Sequence, residues 1–392
     1  MWAYGVTKKS VDEVSKIKLS ERKPSEGVLK MDVPIPEINN DEVLIKVKAS
    51  ALNFNSIWSS LSHPISSFQL INQHVQRNPG DKSHIQDFAI FGSDASGLIE
   101  KVGNNVTNWK IGDEVVVHCN VIDTNDPISQ TDGMLSESQS IWGYETNYGA
   151  FAEYTKVKSS QLIKKPNTIS WEDAASFSLT HSTAYRMLMS SNGAQIKAGE
   201  MCLIWGAAGG LGVFAIQLAK LAGADVVAIV SDDEKAKLCK RLGADVVINR
   251  KKDLPKSYTD ENNNPDYLAW RKVKIALKKK GVSSIDVVFE HVGKETLGLS
   301  TFLLNRGGRI VTCAATSGYL ATIDLRFLWM QLKSIIGSHF ANYDEATKAA
   351  DLIFNNKIKP IIHSLNKIED LPKRMDEMYA GNTFGKIVFK HD

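Results

Sequence analysis

The segment Leu203-Ile204-Trp205-Gly206-Ala207-Ala208-Gly209-Gly210-Leu211-Gly212 constrains this chain more than any other. A short apolar run enters a glycine-rich turn and leaves it as a helical pattern, with Gly206, Gly209 and Gly212 evenly spaced. In an A-x-G-x-x-G turn of this kind, Ala207 is small enough for a sharp bend. Gly209 leaves room for a pyrophosphate, and Gly212 lets the helix close on the strand, with Gly210 and Leu211 completing the turn. The helix start then presents unpaired N–H groups and partial positive charge to phosphate. A tight turn needing glycine for its backbone alone has the same local look. The neighbouring sequence favours the phosphate site, because a further strand pattern follows the helix as a dinucleotide-binding unit requires.

That pattern continues. Met201 to Trp205, Asp225 to Val230, Val246 to Asn249, Ile285 to Glu290 and Arg309 to Cys313 read as strands, with helices over Val213 to Ala222 and Asp233 to Leu242. Strands alternating with helices predict an α/β fold with a doubly wound parallel sheet. An insertion, Asp253 to Gly281, reads as partly helical. Residues before about 165 read instead as strands and loops. Asp41 to Lys48 alternates, and Ile111 to His118 is a turn followed by a β-branched run. Two long polar insertions, Ser59 to Asp87 and Asp123 to Ser140, interrupt them, and loops of that length are commonly functional or mobile. Near Pro166 the texture changes, and Ser170-Trp171-Glu172-Asp173 reads as a capping box opening a helix through the alanines. The last strand, Lys386 to Lys390, is expected to rejoin the first region. The predicted division is 1–165 plus 342–392 for a catalytic domain and 166–341 for an inserted dinucleotide-binding domain.

Composition removes several function classes. The chain has 392 residues, a formal charge of +3 from 47 basic and 44 acidic side chains, and 43% hydrophobic content. That balance gives no reason to invoke nucleic acid or a membrane surface. The basic cluster Arg271 to Lys280 reads as a solvated helix face, with a landing patch for a phosphate-bearing substrate as the alternative. No apolar stretch approaches the roughly 18 residues of a membrane helix, and the N-terminus lacks a signal-peptide pattern. Cys119, Cys202, Cys239 and Cys313 are scattered without C-x-x-C spacing, which suits a reduced, cytoplasmic protein and builds no zinc ribbon.

The residues after the second strand choose the cofactor. Asp232 at the strand end would accept hydrogen bonds from both ribose hydroxyls and favour NAD. Ser231, Lys235 and Arg250 supply a hydroxyl and two cations that would surround a 2′-phosphate. The expectation adopted is NADPH. The alternative for Lys235 is an ordinary surface lysine.

Several segments together resemble the medium-chain dehydrogenase/reductase superfamily over nearly the whole chain, which implies a Rossmann domain inserted into a mostly β, GroES-like catalytic domain. Gly92-Ser93-Asp94 stands where zinc alcohol dehydrogenases carry Gly-His-Glu, and no cysteine lies near Asn53 to Trp58, where that family keeps a zinc ligand. Zinc needs three protein ligands, and no such set is legible, so the expected metal is none. Within the zinc-free branch, Asn53 to Trp58, Gly92-Ser93-Asp94, Ile141-Trp142-Gly143-Tyr144-Glu145-Thr146-Asn147-Tyr148-Gly149 and Ile336 to Asn342 resemble crotonyl-CoA carboxylase/reductases and related acryloyl-CoA reductases.

That resemblance implies a catalytic pocket of Asn55, Tyr144, Glu145 and His339, in which an asparagine amide holds CO2 while glutamate and histidine hold a water. Asn53 is the alternative for the asparagine role. Tyr144 departs from the phenylalanine of carboxylating members. Glu145 as a surface ion-pair residue, His339 as a core histidine and His181 as a helix-start residue are the bland alternatives. The implied reaction is NADPH-dependent reduction of a short enoyl-CoA, acryloyl-CoA or crotonyl-CoA, to the saturated acyl-CoA. Reductive carboxylation with CO2 is the runner-up, and a zinc-free quinone oxidoreductase is third. Arg326, Trp329 and Lys333 are candidate contacts for the CoA nucleotide, and a homodimer or homotetramer is expected.

Overall fold

The computed structural model describes residues 1–391. Two compact units divide the chain, one formed by Met1–Leu179 together with the segment from Asn342, the other by Thr180–Ala341. The division falls inside helix Ser178–Met189, past the change of texture at Pro166.

The first unit is built on a seven-stranded sheet. Its order is Leu162–Lys164, Glu114–Val117, Ala95–Val102, Glu42–Ala51, Lys386–Lys390 and Ile362–Lys367, with Tyr154–Lys158 also pairing to Glu42–Ala51. The long central strand serves three partners because Tyr154–Lys158 pairs with its Glu42–Lys46 half and Lys386–Lys390 with its Ala49–Ala51 end, while against Ala95–Val102 its register shifts between Leu44 and Ile45 and between Val47 and Ala49. Such bulges re-aim a strand and increase its twist. Lys386–Lys390 pairs antiparallel with its far end, Val388 opposite Ala51, so the last strand rejoins the first region as expected. Ile387, Val388 and Phe389 are fully buried there, and each such side chain contributes about 1.5–3 kcal/mol.

Both polar insertions are more ordered than their composition predicts. Ser67–Arg77 is a helix, capped by Ser66 Oγ accepting from Gln69 N–H at 3.3 Å. Leu70, Ile71, His74 and Val75 recur at helical spacing and are buried, so a mostly polar sequence still has one inward face. The segment from Asp123 is held by short turns at Ser129–Asp132 and Gly133–Leu135, and Asn342 Nδ2 donates to Asp132 Oδ1 at 3.1 Å. The helix expected after Ser170 is a single turn, Trp171–Ala174, with Ser170 Oγ as its cap. Chain direction then changes before Ser178–Met189 begins.

The second unit holds a six-stranded, wholly parallel sheet. Its order is Val246–Asn249, Asp225–Val230, Met201–Ile204, Val287–Glu290, Arg309–Thr312 and Ser334–Gly337. This is a doubly wound sheet whose order reverses beside Met201–Ile204, where such folds bind nucleotides. The insertion carries helix Tyr267–Lys279, whose Trp270, Val273 and Leu277 are buried and whose Arg271, Lys272 and Lys278 face water. The basic cluster is thus a solvated face. Among the described residues, no helix is long and apolar enough to cross a membrane.

Candidate active site

The glycine-rich turn takes the shape its sequence demands. Gly206 has φ +55°, and a Cβ there would press on the His291 ring at 2.8 Å. At Gly212 a Cβ would meet the Ala207 carbonyl at 2.5 Å, so helix Gly212–Leu221 could not close on the turn. At Gly209 it would meet only the Gly206 oxygen, at 3.3 Å, which leaves that side open to a ligand. His291, which the sequence reading missed, fixes the turn through Nε2 at 2.9 Å from the Trp205 carbonyl. The residues present therefore fit a dinucleotide pyrophosphate at the helix start.

At the next strand end, Asp232 is committed to its own helix. Its Oδ1 accepts Lys235 N–H at 2.9 Å as the N-cap of Asp233–Arg241. Its Oδ2 accepts from Ser231 Oγ at 2.9 Å, and Lys235 Nζ lies 3.2 Å from the same hydroxyl. Ser231 and Lys235 thus stand together, and Arg250 is exposed at the end of the neighbouring strand. A hydroxyl and an ammonium at this edge suit a 2′-phosphate, whereas Asp232 already has partners for both oxygens.

In the first unit, the segment Phe91–Asp94 organises the other candidates. Asn55 opens helix Phe54–Leu61 and donates its amide to Ser93 Oγ at 2.8 Å. Asn53 belongs to a different network: its Nδ2 donates to Asp94 Oδ2 at 2.8 Å, and its Oδ1 accepts from Lys386 Nζ. Lys386 also pairs with Asp94 Oδ2 at 2.9 Å, while Asp94 Oδ1 accepts Leu179 N–H. An ammonium therefore neutralises the carboxylate that stands at the glutamate of the Gly-His-Glu of the resembled enzymes, and the histidine position beside it is Ser93. Ser93, Asn53 and Lys386 place a hydroxyl, an amide and an ammonium beside Asp94 rather than imidazole, thiolate or a second carboxylate, so these residues do not fit zinc.

The loop Ile141–Gly149 packs on the same segment. Gly143 has φ +68°, and any Cβ there would collide with the Gly92 carbonyl. Ala150 N–H donates to that carbonyl at 2.9 Å, and Trp142 Nε1 donates to Tyr148 O at 3.0 Å. Glycine in the Trp-Gly-x-Glu stretch is thus a close-approach requirement. It sets the half-buried Tyr144 and Glu145 on a turn anchored beside Ser93. Glu145 Oε2 accepts Ile141 N–H at 2.8 Å. Burial raises the Glu145 carboxyl above its ordinary range, opposed by the Ile141 N–H, Arg77 and His74.

The remaining candidates lie in the second unit. His339 follows strand Ser334–Gly337, with its ring edge-on to Phe340 at 4.5 Å. Its side chain reaches water, yet dense surroundings first and Arg186 second hold its pKa down to about 4, so the imidazole is neutral at physiological pH. His181 is buried in the first turn of its helix, stacked on Phe214 at 4.8 Å. The suggested CoA contacts lie on and just after helix Leu325–Trp329. Arg326 pairs with Asp324 at 2.7 Å and Lys333 Nζ donates to Thr301 O at 2.7 Å, while Arg326 and Trp329 are both exposed.

A parallel nucleotide sheet with an A-x-G-x-x-G turn, in one chain with a β-rich unit built from the segments on either side of it, defines a medium-chain dehydrogenase/reductase. Residues 39–167 match the alcohol dehydrogenase GroES-like domain and residues 210–355 the zinc-binding dehydrogenase family. The crotonyl-CoA reductase of Streptomyces avermitilis is 40% identical over 98% of this chain and 86% of its own length. The acryloyl-coenzyme A reductase of Sulfurisphaera tokodaii is 27% identical over 94% of this chain and 97% of its own. The solved structure of the 2-octenoyl-CoA carboxylase reductase CinF, in complex with NADP and 2-octenoyl-CoA, superposes with a TM-score of 0.93 at 37% identity, covering 99% of this chain and 87% of that one. This chain belongs to the crotonyl-CoA reductase group of the medium-chain dehydrogenase/reductases.

Proposed function

We propose that the chain is a zinc-independent reductase of the C=C bond of a short 2-enoyl-CoA, with NADPH as reductant. The observation that carries this reading is the pair Asn55 and Glu145, both set by the Phe91–Asp94 segment, in a chain 40% identical to a crotonyl-CoA reductase. Ser231 and Lys235 support the phosphorylated cofactor. When bound, NADPH supplies a hydride for the β-carbon of the thioester-activated double bond. The charge that develops on the thioester side must be met by fixed donors in a dry site. The Asn55 amide is such a donor, already oriented by Ser93. Glu145 is assigned to the small molecule that meets the α-carbon, and the resemblance to carboxylating enzymes assigns the neutral His339 to the same step. If that molecule delivers a proton, the product is the saturated acyl-CoA.

Reductive carboxylation is the second reading, favoured by the similarity to a carboxylase reductase and by the shared Asn55, Glu145 and His339 types. Tyr144 favours protonation, because a hydroxyl beside Glu145 holds water where the resembled carboxylating enzymes present phenylalanine. The deciding experiment is NADPH oxidation with acryloyl-CoA, crotonyl-CoA and a benzoquinone, each with and without bicarbonate plus carbonic anhydrase. Turnover of a thioester, with saturated product, is expected. Turnover of the quinone alone overturns the reading, and a predominantly carboxylated product establishes the second.

A further inference from the structure

Behind Glu145 runs a line of polar side chains that the proposed reaction does not use. Arg77 Nη2 lies 3.9 Å from Glu145 Oε1 and 3.2 Å from Ser140 Oγ. Ser140 Oγ is 2.9 Å from His74 Nδ1, and His74 Nε2 is 3.0 Å from Asp81 Oδ2. The two inner members are sealed from water, His74 at 0% and Asp81 at 6% exposure. Arg77 is 39% exposed and reaches inward from the end of the same helix as His74.

The hydrogen-bond directions follow from the groups themselves. Asp81 is held ionised, well below the usual carboxylate range, by His74 and Lys158 against the opposing effect of burial. An ionised carboxylate only accepts, so His74 Nε2 carries the hydrogen. Asn78 Nδ2, which only donates, approaches His74 Nδ1 at 3.3 Å, which assigns Nδ1 as the accepting nitrogen. The Ser140 hydroxyl then donates to Nδ1 and accepts from Arg77. Donation runs in one sense from Arg77 through Ser140 and His74 to Asp81, with each donor matched to an acceptor.

His74, Asp81 and His84 also bring potential ligand atoms within 4.8 Å of one another. They do not favour a cation. Asp81 Oδ1 pairs with Lys158 at 3.3 Å, and His84 Nδ1 accepts Asn147 N–H at 3.1 Å. A metal ion would have to evict the Lys158 ammonium.

We propose that Arg77 is a positioning residue for Glu145, and that the Ser140–His74–Asp81 line fixes its guanidinium to face that carboxylate. The proposal rests on the reading that Glu145 serves the α-carbon step. An arginine this exposed loses conformational freedom when it holds one rotamer, and an unsupported pair of this kind contributes little. A buried, fully matched line removes that freedom in advance. The charged and titratable groups facing Glu145 are Arg77 and His74, with Asp81 and Lys158 beyond them. Arg77 opposes the effect of burial on Glu145, so its loss moves the Glu145 titration to higher pH.

The test is the pH profile of NADPH oxidation with the accepted enoyl-CoA, measured on the full chain and on Arg77→Gln, Arg77→Lys, Ser140→Ala and Glu145→Gln. The acid limb should move to higher pH in Arg77→Gln and Ser140→Ala. The rate on its acid side should fall roughly two- to fivefold, with the NADPH Kd and thioester KM held. Arg77→Gln combined with Ser140→Ala should be no worse than Arg77→Gln alone, because Ser140 acts through Arg77. Arg77→Lys should recover part of the loss. An unmoved limb in Arg77→Gln, with the limb abolished in Glu145→Gln, overturns the positioning role and leaves the Glu145 reading standing. An unmoved limb in Glu145→Gln overturns both. A parallel fall of kcat, cofactor affinity and thermal stability in Ser140→Ala identifies a structural line and also overturns the proposal.

Discussion

Lys386 Nζ lies 2.9 Å from Asp94 Oδ2, with the two side chains at 1% and 0% exposure. A carboxylate so buried is tolerated only with a partner, and here the C-terminal strand delivers it. Lys386→Ala leaves Asp94 charged and unpaired, and should cost about 3–5 kcal/mol in chemical denaturation. Lys386→Met combined with Asp94→Asn should cost markedly less, since it removes both charges. The same geometry predicts that the purified protein holds no stoichiometric zinc and that chelators leave its activity intact. One tightly held zinc per chain by elemental analysis would contradict the assignment of Lys386 as the counter-charge.

Two buried histidines predict the acid stability profile. Burial pushes His181 down to about 3, and it does the same to His391, whose Nδ1 donates to Ala152 O while Nε2 meets Ser50 Oγ at 2.8 Å. The unfolded chain takes up these protons near an ordinary histidine pKa of about 6.5, and the folded chain only near 3. Between those values the unfolded state binds more protons. Stability is therefore fully present above about pH 6.5 and is lost as pH falls towards 3. Each fully titrating histidine adds a slope of about 1.4 kcal/mol per pH unit. Urea midpoints at pH 7, 6 and 5 should fall in sequence, and a flat series would contradict the buried, neutral state of both rings.

The cofactor edge gives a selective test. Lys235→Ala and Arg250→Ala should each weaken NADPH use far more than NADH use, because only NADPH presents the additional phosphate. A charge-assisted contact of this type contributes about 1.5–3 kcal/mol. Lys235 should show the larger effect, since its ammonium already sits 3.2 Å from Ser231 Oγ, while Arg250 must be recruited from solvent. Equal losses with both cofactors would return Asp232 to the role of ribose ligand.

The sequence made the nucleotide sheet legible because its strands are apolar on both faces and its turn has few backbone solutions. Asp225–Val230, Val246–Asn249 and Lys386–Lys390 stand where the pattern places them. The sixth parallel strand, Ser334–Gly337, is too short to show a period, and nothing local marks it. Helix Ser67–Arg77 hid inside a polar insertion because its one apolar face includes a histidine. The choice between Asn53 and Asn55 could not be made from spacing. It depends on Lys386, hundreds of residues away, occupying the first and leaving the second for Ser93. For Arg326 and Lys333 the sequence could not show that they already have partners in Asp324 and Thr301.

The fate of the α-carbon gives the last test. Hydride arrives at the β-carbon, on the nicotinamide side, and the electrophile meets the α-carbon afterwards. Residues serving the second event should change product choice without changing cofactor binding. Glu145→Ala and His339→Ala should leave NADPH affinity near normal and lower any carboxylated product relative to the saturated one. Tyr144→Phe should act in the opposite direction, by removing a hydroxyl that retains water on the turn anchored at Gly143. The measurement is the ratio of methylmalonyl-CoA to propionyl-CoA, or of ethylmalonyl-CoA to butyryl-CoA, under saturating CO2. Losing one hydrogen bond to a small molecule corresponds to about 0.5–1.5 kcal/mol, so ratios should shift roughly two- to tenfold. An unchanged ratio in all three well-folded variants would make Tyr144, Glu145 and His339 structural. The choice between proton and CO2 would then have to be made by other residues.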